Sequence, residues 1–251
     1  MLAAHGVTHA GTVRPHNEDA ILVDAAHGLF VVADGMGGVS AGEVASQIAI
    51  ETIGQYLVRT VPRDRAAFAF DADERNRRQS NRVETAVRLA NRRVNRAGTA
   101  NPDYSGMGTT VAVVLADEWN AFICGVGDSR VYSTYDGRAT QLTTDHTWVE
   151  AIRTQDPTID PVALARHPMR HVLTAVVGGQ KAIDAAVTRH MIAQQERIVI
   201  CSDGVYRGVS DDLLAQLAGG GSVKEAAEAI LAAALERDGR DNISVIVIER
   251  S

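Results

Sequence analysis

Four acidic residues share one local setting, in which an apolar run typical of a strand lies directly beside a carboxylate and a turn. They are Asp34, Asp128, Asp203 and Asp241. A fifth acidic cluster, Asn17-Glu18-Asp19, directly precedes another apolar run. A single Asp-Gly is ordinary turn chemistry, so any one of these positions has a purely structural explanation. Because buried strands end at sheet edges, the five together indicate that carboxylates gather at one edge.

The chemistry open to such a cluster is the binding of hard divalent cations. Clustered carboxylates repel one another and stay ionised only when positive charge lies among them. The candidate ligands are all oxygen atoms, whereas the eight histidines are scattered and the sequence has neither an HExxH motif nor a paired-cysteine motif. An all-oxygen set favours Mg²⁺ or Mn²⁺ over zinc.

Two further features bear on phosphate chemistry. Arg14 lies three residues before Asn17, where its guanidinium can either pair with a carboxylate or clamp a phosphate, and both readings stay open. The loop 35–38 (GMGG) precedes a helix start and could cradle a phosphate on backbone N–H groups, but it matches no nucleotide-binding fingerprint. Gly35 and Gly204 lack a Cβ, which lets the backbone approach a metal ion and offer its carbonyl oxygen.

These residues must be positioned by a mixture of strands and helices. Apolar, β-branched runs predict strands at 20–24, 28–34, 109–116, 120–127, 130–135, 139–143, 197–203 and 242–249. Periodicity and caps predict helices at 41–59, 80–97, 161–166 and 223–236, and a short helix after Ser210. The strands between 109 and 143 are interpreted as an antiparallel meander. This order does not alternate β and α, and therefore favours an α+β fold with antiparallel sheets.

The connecting segments carry three further expectations. Ser40 with Glu43, and Ser222 with Glu225, form capping-box patterns at helix starts. The charged stretch 63–82 is interpreted as a solvated loop or frayed helix end rather than as a recognition surface. Residues 148–170 are expected to be irregular around the short helix and to form a mobile flap. No convincing linker divides the chain, so we expect residues 1–251 to form a single domain.

Composition excludes several classes of protein. The chain has 251 residues, of which 45% are hydrophobic and 22% charged, unlike collagen-like or disordered proteins. Its net charge of −6 argues against a broad nucleic-acid surface. No stretch reaches the about 18 apolar residues of a membrane helix, and the first residues do not resemble a signal peptide. Cys124 and Cys201 are interpreted as buried core residues of a cytoplasmic protein, with a monomer as the default and no membrane partner.

Nine short motifs follow one another between Arg14 and Ser244. They are Arg14-Pro-His-Asn-Glu18-Asp19, Val32-Ala-Asp34-Gly-Met-Gly-Gly, Ser40-Ala-Gly-Glu43, Gly106-Met-Gly-Thr-Thr110, Gly127-Asp-Ser-Arg130, Asp145-His-Thr147, Leu173-Thr174, Ser202-Asp-Gly204 and Asp241-Asn242-Ile-Ser244. Each is weak to moderate alone. In this order and spacing, the set resembles the metal-dependent protein phosphatases (PPM, type 2C), in the short form of the bacterial branch.

The resemblance implies a four-layer α-β-β-α sandwich of two antiparallel sheets flanked by helices, with a two-metal centre in a cleft at one end. It implies that Asp34 bridges two Mn²⁺ or Mg²⁺ ions and that the Gly35 carbonyl binds one of them. Asp203 and Asp241 bind the other ion by the same resemblance.

The remaining site residues are carried over in the same way. The resemblance implies that Glu18 and Asp19 act largely through metal-bound water, and that Asp128 with Asp203 holds a third, weaker metal ion. It implies that Arg14 holds the substrate phosphate and that Arg14 and Asp34 are the catalytic residues. The implied reaction is hydrolysis of phosphoserine and phosphothreonine in proteins by a metal-bridging water. Phosphorylated proteins, and a Ser/Thr kinase with its substrates, are the implied partners.

Two departures from the family pattern concern the substrate side of the site. Met36 stands where animal members have a histidine after Asp-Gly, as is usual in bacterial relatives. The segment 171–179 lacks the basic residue often found after Leu-Thr. A non-catalytic phosphoprotein-binding module is the alternative reading, but every matched metal position retains its acid. A nucleotide-dependent enzyme is a third reading, which lacks any fingerprint.

Overall fold

Two antiparallel sheets packed face to face form the centre of the fold. The computed structural model describes residues 2–38, 41–60, 72–117 and 119–250. The first sheet contains, in spatial order, β1 (Leu2–His9), β11 (Ile243–Arg250), β10 (Arg197–Cys201), β7 (Arg130–Tyr135) and β8 (Arg138–Gln141). The second contains β2 (Asp19–Asp24), β3 (Leu29–Met36), β5 (Val111–Ala116), β6 (Asn120–Val126) and β9 (Thr188–Met191), and the short β4 (Gly108–Thr109) pairs with β3.

Helices cover the outer face of each sheet. The second sheet is covered by α1 (Ala41–Arg59) and α2 (Ala72–Ala100), and the first by α6 (Asp211–Ala218) and α7 (Val223–Arg237), with the single turn α5 (Asp203–Tyr206) after β10. Between β8 and β9 lie α3 (Trp148–Gln155) and α4 (Pro161–Ala165). The four layers confirm the predicted α+β sandwich.

The strands are apolar on both faces because each face meets a different layer. In β3, Val31 packs toward the helices, whereas Phe30 and Val32 pack into the core between the sheets. In β11, Val247 packs toward the helices and Ile246 toward the other sheet. This alternation across a pleated strand explains why the predicted strands are continuous apolar runs rather than alternating ones.

The predicted meander is wrong. β5 pairs with β6 and β7 pairs with β8, but β6 belongs to the second sheet and β7 to the first. Gly127 has a φ of +96° between β6 and β7, a conformation that glycine tolerates. The chain therefore crosses from one sheet to the other at the turn that carries Asp128.

Several predicted boundaries also change. The second helix begins at Ala72 rather than near residue 80, so residues 72–82 of the charged stretch are helical. Residues 61–71 of that stretch lie outside the described residues, and so does Ser40 of the first capping-box pattern. Residues 148–155 were predicted to be irregular but form the helix α3. The Thr147 hydroxyl caps the start of this helix by accepting a hydrogen bond from Glu150 N. The Ser222 capping box is confirmed.

Two strands, β1 and β9, were not predicted at all. Both are edge strands, and their mixed polar sequences lack the apolar runs used for the other strands. Cys124 and Cys201 are buried and unpaired, as predicted. None of the helices among the described residues combines the length and the apolar character needed to cross a membrane.

Candidate active site

The sandwich brings the predicted acidic residues to one end. Asp19 opens β2 and lies directly opposite Asp34 in the register of β2 and β3. Asp128 follows β6, and Asp203 begins α5 immediately after β10. Asp241 lies in the loop before β11. The charges of the other four acids all act on Asp34, so five of the six carboxylates that sequence reasoning selected converge from both sheets.

Threonine hydroxyls fix the backbone of Asp34. At this point β3 exchanges its partner β5 for β4, which leaves a gap in the ladder. The carbonyl oxygen of Asp34 accepts hydrogen bonds from Thr109 Oγ1 and Thr110 N, both at 2.8 Å. Asp34 N in turn donates to Thr110 Oγ1 at 3.1 Å. The Gly106-Met-Gly-Thr-Thr110 motif thus holds the strand end that presents Asp34.

Serine residues of the other sheet reach Asp19. Ser202 Oγ donates to Asp19 Oδ2 at 2.8 Å and accepts from Ser244 N at 3.0 Å. The second oxygen of the same carboxyl, Oδ1, is buried without a hydrogen-bond partner among the described residues, and so is Oδ1 of Asp203. Buried unpartnered oxygens are costly, so each of these atoms is suited to accept a ligand.

Arg14 and Arg207 both form ion pairs with Asp241, the acidic residue in the loop before β11. Arg14 Nη2 lies 2.9 Å from Asp241 Oδ1, and Arg207 Nη1 lies 2.9 Å from Asp241 Oδ2. Arg207 Nη2 also donates to Asp203 Oδ2. Of the two readings open for Arg14, the structure contains the ion pair. Sequence reasoning missed Arg207, because an arginine four residues after an aspartate carries no distinctive signal.

The electrostatics of the cluster disfavour ionised carboxylates. Burial raises the pKa of Asp34 well above its usual value, and the charges of Asp19, Asp203, Asp128 and Asp241 raise it further. Burial likewise raises the pKa of Asp19, Asp203 and Asp128. It also raises that of Glu18, against the lowering effect of Arg14. Such a set needs more positive charge than Arg14 and Arg207 supply.

The oxygen atoms of the acidic residues suit divalent cations, although the side chains are not arranged around a common point. Among the described residues, no three Asp, Glu, His or Cys side chains are arranged around one point. Arg207 explains part of this, because it engages Asp203 and Asp241 together. A pair of hard cations would give partners to the unpartnered oxygens of Asp19 and Asp203 and would relieve the mutual repulsion of the acids.

The glycines serve close packing. A Cβ on Gly35 would lie 2.1 Å from the carbonyl oxygen of Gly42, at the start of α1. A Cβ on Gly204 would lie 2.1 Å from the carbonyl oxygen of Asn242. The sequence interpretation had assigned both glycines to metal access. Their immediate role is to let a helix start and a neighbouring loop approach the strand ends.

Asn242 is a second residue that sequence reasoning missed. Its Oδ1 accepts from Glu18 N at 2.8 Å, and its Nδ2 donates to the carbonyl oxygens of Ala10 and His16, both at 2.9 Å. It therefore fastens the loop that carries Arg14 and Glu18 to the end of β11. Its signal was its place in the Asp241-Asn242-Ile-Ser244 motif.

Arg130 connects the Asp128 turn to the base of the flap. Its guanidinium contacts Asp145 through Nε at 3.0 Å and Nη2 at 2.6 Å, and lies 3.6 Å above the Tyr206 ring. Tyr206 Oη donates to the carbonyl oxygen of Asp128 at 3.0 Å. His146 N donates to the Gly127 carbonyl oxygen at 2.8 Å. Asp128 and the flap base are thus parts of one bonded unit.

The flap leaves and rejoins the body at a narrow base. Thr147 and Leu173 form an antiparallel bridge, and Trp148 N donates to the Val172 carbonyl oxygen at 2.8 Å. The Trp148 ring stacks on His167 at 4.3 Å. The flap is therefore fixed at its base.

Comparison with known proteins gives one consistent family. The family model for protein phosphatase 2C matches residues 6–237. The serine/threonine protein phosphatase PstP of Mycobacterium tuberculosis is 31% identical over 239 residues, which cover 95% of this chain and 43% of that protein. This chain therefore spans less than half of that relative. A putative protein phosphatase 2C-type of Streptococcus pyogenes is 30% identical over 245 residues, covering 96% of this chain and 94% of its own length.

A solved structure is similar throughout. The catalytic domain of PstP in complex with two manganese ions superposes with a TM-score of 0.81 at 29% identity, covering 99% of this chain and 97% of that one. The 99% of this chain that is covered includes nearly all of the described residues.

Proposed function

The chain belongs to the protein phosphatase 2C family, and from that premise we propose that it hydrolyses phosphoserine and phosphothreonine in proteins with the help of Mn²⁺ or Mg²⁺. The observation that carries the proposal is the convergence of Asp34, Asp203 and Asp241 at one end of the sandwich, with buried acidic oxygens that lack partners. The manganese complex of the PstP catalytic domain supports two cations at such a site.

The residues that would hold the two cations follow from their positions. Asp34, on which the charges of the other acids act, would serve both ions, with the Gly35 carbonyl oxygen on one of them. Asp203 and Asp241 would hold the second ion. Bound divalent ions supply Lewis acidity, a water molecule activated for attack on phosphorus, and charge to neutralise the phosphoryl oxygens.

Other residues orient these acids. Asp19, held by Ser202, and Glu18, held by Asn242, would contact the ions through water. Asp128, with Asp203, would hold a third and weaker ion. The contacts of Arg130 and Tyr206 keep the turn that carries Asp128 in place. Arg14 would bind the substrate phosphate, since its side chain is 52% exposed and its present partner Asp241 offers, like a phosphate, two adjacent anionic oxygens.

The setting of the reaction is also a proposal. The family favours a Ser/Thr kinase and its substrates as the source of phosphoproteins. The two buried, unpaired cysteines support a cytoplasmic location. We retain a monomer that comprises residues 1–251 as one phosphatase domain, with the flap at 148–170.

Hydrolysis of p-nitrophenyl phosphate and of a phosphothreonine peptide tests the proposal. We expect Mn²⁺-dependent turnover of both that stops in excess EDTA and is abolished by Asp34→Asn. The matched control is Asp136→Asn, in an exposed turn with a φ of +50°, a conformation that asparagine accepts readily. Turnover that survives EDTA or Asp34→Asn would contradict the proposal, and tight phosphopeptide binding without turnover would favour a binding module.

A further inference from the structure

We propose that Arg207 is a second phosphate-binding residue, which shares the substrate phosphate with Arg14. The inference rests on the proposed function and adds a residue to its substrate site. The finding behind it is that two arginines from distant parts of the chain both contact one carboxylate, that of Asp241.

The geometry places both guanidinium groups in contact with a single small anion. Arg14 Nη2 lies 2.9 Å from Oδ1 and 3.1 Å from Oδ2 of Asp241, and Arg207 Nη1 lies 2.9 Å from the same Oδ2. Arg207 reaches this position from the end of α5, and its Nη2 simultaneously donates to Asp203. The arrangement is a clamp for an anion with two adjacent oxygens.

A phosphoryl group can take the place of that carboxylate. The planar fork of arginine matches the oxygens of carboxylates and of phosphates in the same bidentate manner. Asp203 and Asp241 are the acids proposed to hold a cation, and in that state they no longer need the two arginines as counter-ions. The substrate phosphate is then the anion left for both guanidinium groups.

The surroundings of Arg207 favour phosphate binding over a role in a surface ion pair remote from the site. Its side chain is 31% exposed, compared with 52% for Arg14, so it is partly buried yet open to the site. The charge of Arg207 also acts on His171 on the flap side: burial lowers the pKa of His171, and the positive charges of Arg207 and Arg170 lower it further.

The position of Arg207 also bears on the basic residue that the sequence lacks after Leu173-Thr174. The segment 171–179 has no basic residue after Leu173-Thr174. Arg207, directly after α5, supplies a positive charge that acts on His171, where this segment begins. A purely structural ion pair predicts that Arg207 affects metal-free stability alone, whereas a phosphate ligand affects the binding of phosphate.

The experiment compares Arg207→Gln and Arg207→Lys with the wild type and with Arg92→Gln, an exposed arginine of α2. Titration calorimetry measures the binding of Mn²⁺ to the metal-free protein, and then of inorganic phosphate to the Mn²⁺-loaded protein. Kinetics with p-nitrophenyl phosphate give KM, kcat and the inhibition constant of inorganic phosphate. Thermal unfolding verifies that each variant folds.

For Arg207→Gln we expect the phosphate dissociation constant, the inhibition constant and KM to rise about tenfold or more, with a smaller change in kcat. Mn²⁺ binding should be unchanged or tighter, because a competitor for Asp203 and Asp241 has been removed. Arg207→Lys should recover part of the phosphate affinity, and Arg92→Gln should match the wild type.

Unchanged phosphate binding in a folded Arg207→Gln protein would overturn the inference. So would a loss of phosphate affinity matched by an equal loss of Mn²⁺ affinity, because Arg207 would then act through the metal ligands. A wild-type protein that binds phosphate but turns over no substrate would instead refute the proposed function, and the calorimetric comparison of Arg207 would still decide this inference.

Discussion

The hydroxyl of Ser202 donates a hydrogen bond of 2.8 Å to Oδ2 of Asp19, and this contact ties the two sheets together at their acidic end. Ser202 follows β10 in the first sheet, and Asp19 opens β2 in the second. The same hydroxyl accepts from Ser244 N at 3.0 Å, which sets its direction. The orientation of Asp19 therefore depends on a residue 183 positions away in the chain.

Replacing Ser202 with alanine should weaken both metal binding and stability. Asp19 loses a buried hydrogen bond, so we expect the free energy of unfolding to fall by about 1–3 kcal/mol. Loss of an outer orienting contact should weaken Mn²⁺ binding by about tenfold. Calorimetry and urea unfolding measure the two effects, with Ser105→Ala, on an exposed turn, as the control. Wild-type Mn²⁺ affinity in Ser202→Ala would show that Asp19 needs no such orientation.

The metal-free protein should lose stability as the pH rises from about 4 to 7. Burial raises the pKa of Asp19 to about 6 and that of Asp203 to about 7, above the unfolded value of 3.8. Between these values the folded state binds more protons than the unfolded state, so its stability decreases with increasing pH. Unfolding in EDTA across this range measures the slope, which Mn²⁺ should reduce and Asp34→Asn should flatten. A slope of the opposite sign in EDTA would contradict the electrostatic account of the cluster.

Glu196 should stabilise the fold with the opposite pH dependence. Burial alone raises its pKa, but hydrogen bonds from His190, Ser133 and Ala193 N outweigh burial and lower the pKa below 4.5. A lowered pKa contributes stability above the unfolded value, which is lost as the pH falls through the folded value.

We expect Glu196→Gln to lower the free energy of unfolding at pH 7 by about 1–3 kcal/mol, because the carboxylate is buried with three donors. The difference from the wild type should shrink as the pH falls below about 4.5. Urea unfolding of both proteins from pH 3 to 7 tests this. A difference that stays constant over the range would assign the effect to packing instead of charge.

The flap should select protein substrates without taking part in the reaction. Its exposed apolar side chains include Val162, 55% exposed, and Met169, 42% exposed, which a bound peptide can cover. Exchanging residues 148–170 for the corresponding segment of another family member, with Thr147 and Leu173 kept, should change the preference among phosphothreonine peptides. Turnover of p-nitrophenyl phosphate should stay near that of the wild type, and equal losses on both substrates would refute the idea.

Local sequence patterns were sufficient for most elements with a strong apolar signal. α1 spans Ala41–Arg59, as its periodicity predicted, and β7 spans Arg130–Tyr135, also as predicted. Edge strands such as β9 escaped because their polar residues bury little surface, and the flap helix α3 escaped because a short amphipathic turn beside prolines resembles a loop.

The sequence by itself determined which acids could act, since each stands beside an apolar run, and the order of its motifs determined the family. Only the tertiary structure decided which strands share a sheet, that Ser202 faces Asp19, and that Arg14 and Arg207 grip the same carboxylate. The physical reason is that periodicity records which face of an element is buried. The partner on that face is fixed by packing between segments up to 236 residues apart, as between Thr8 and Ser244.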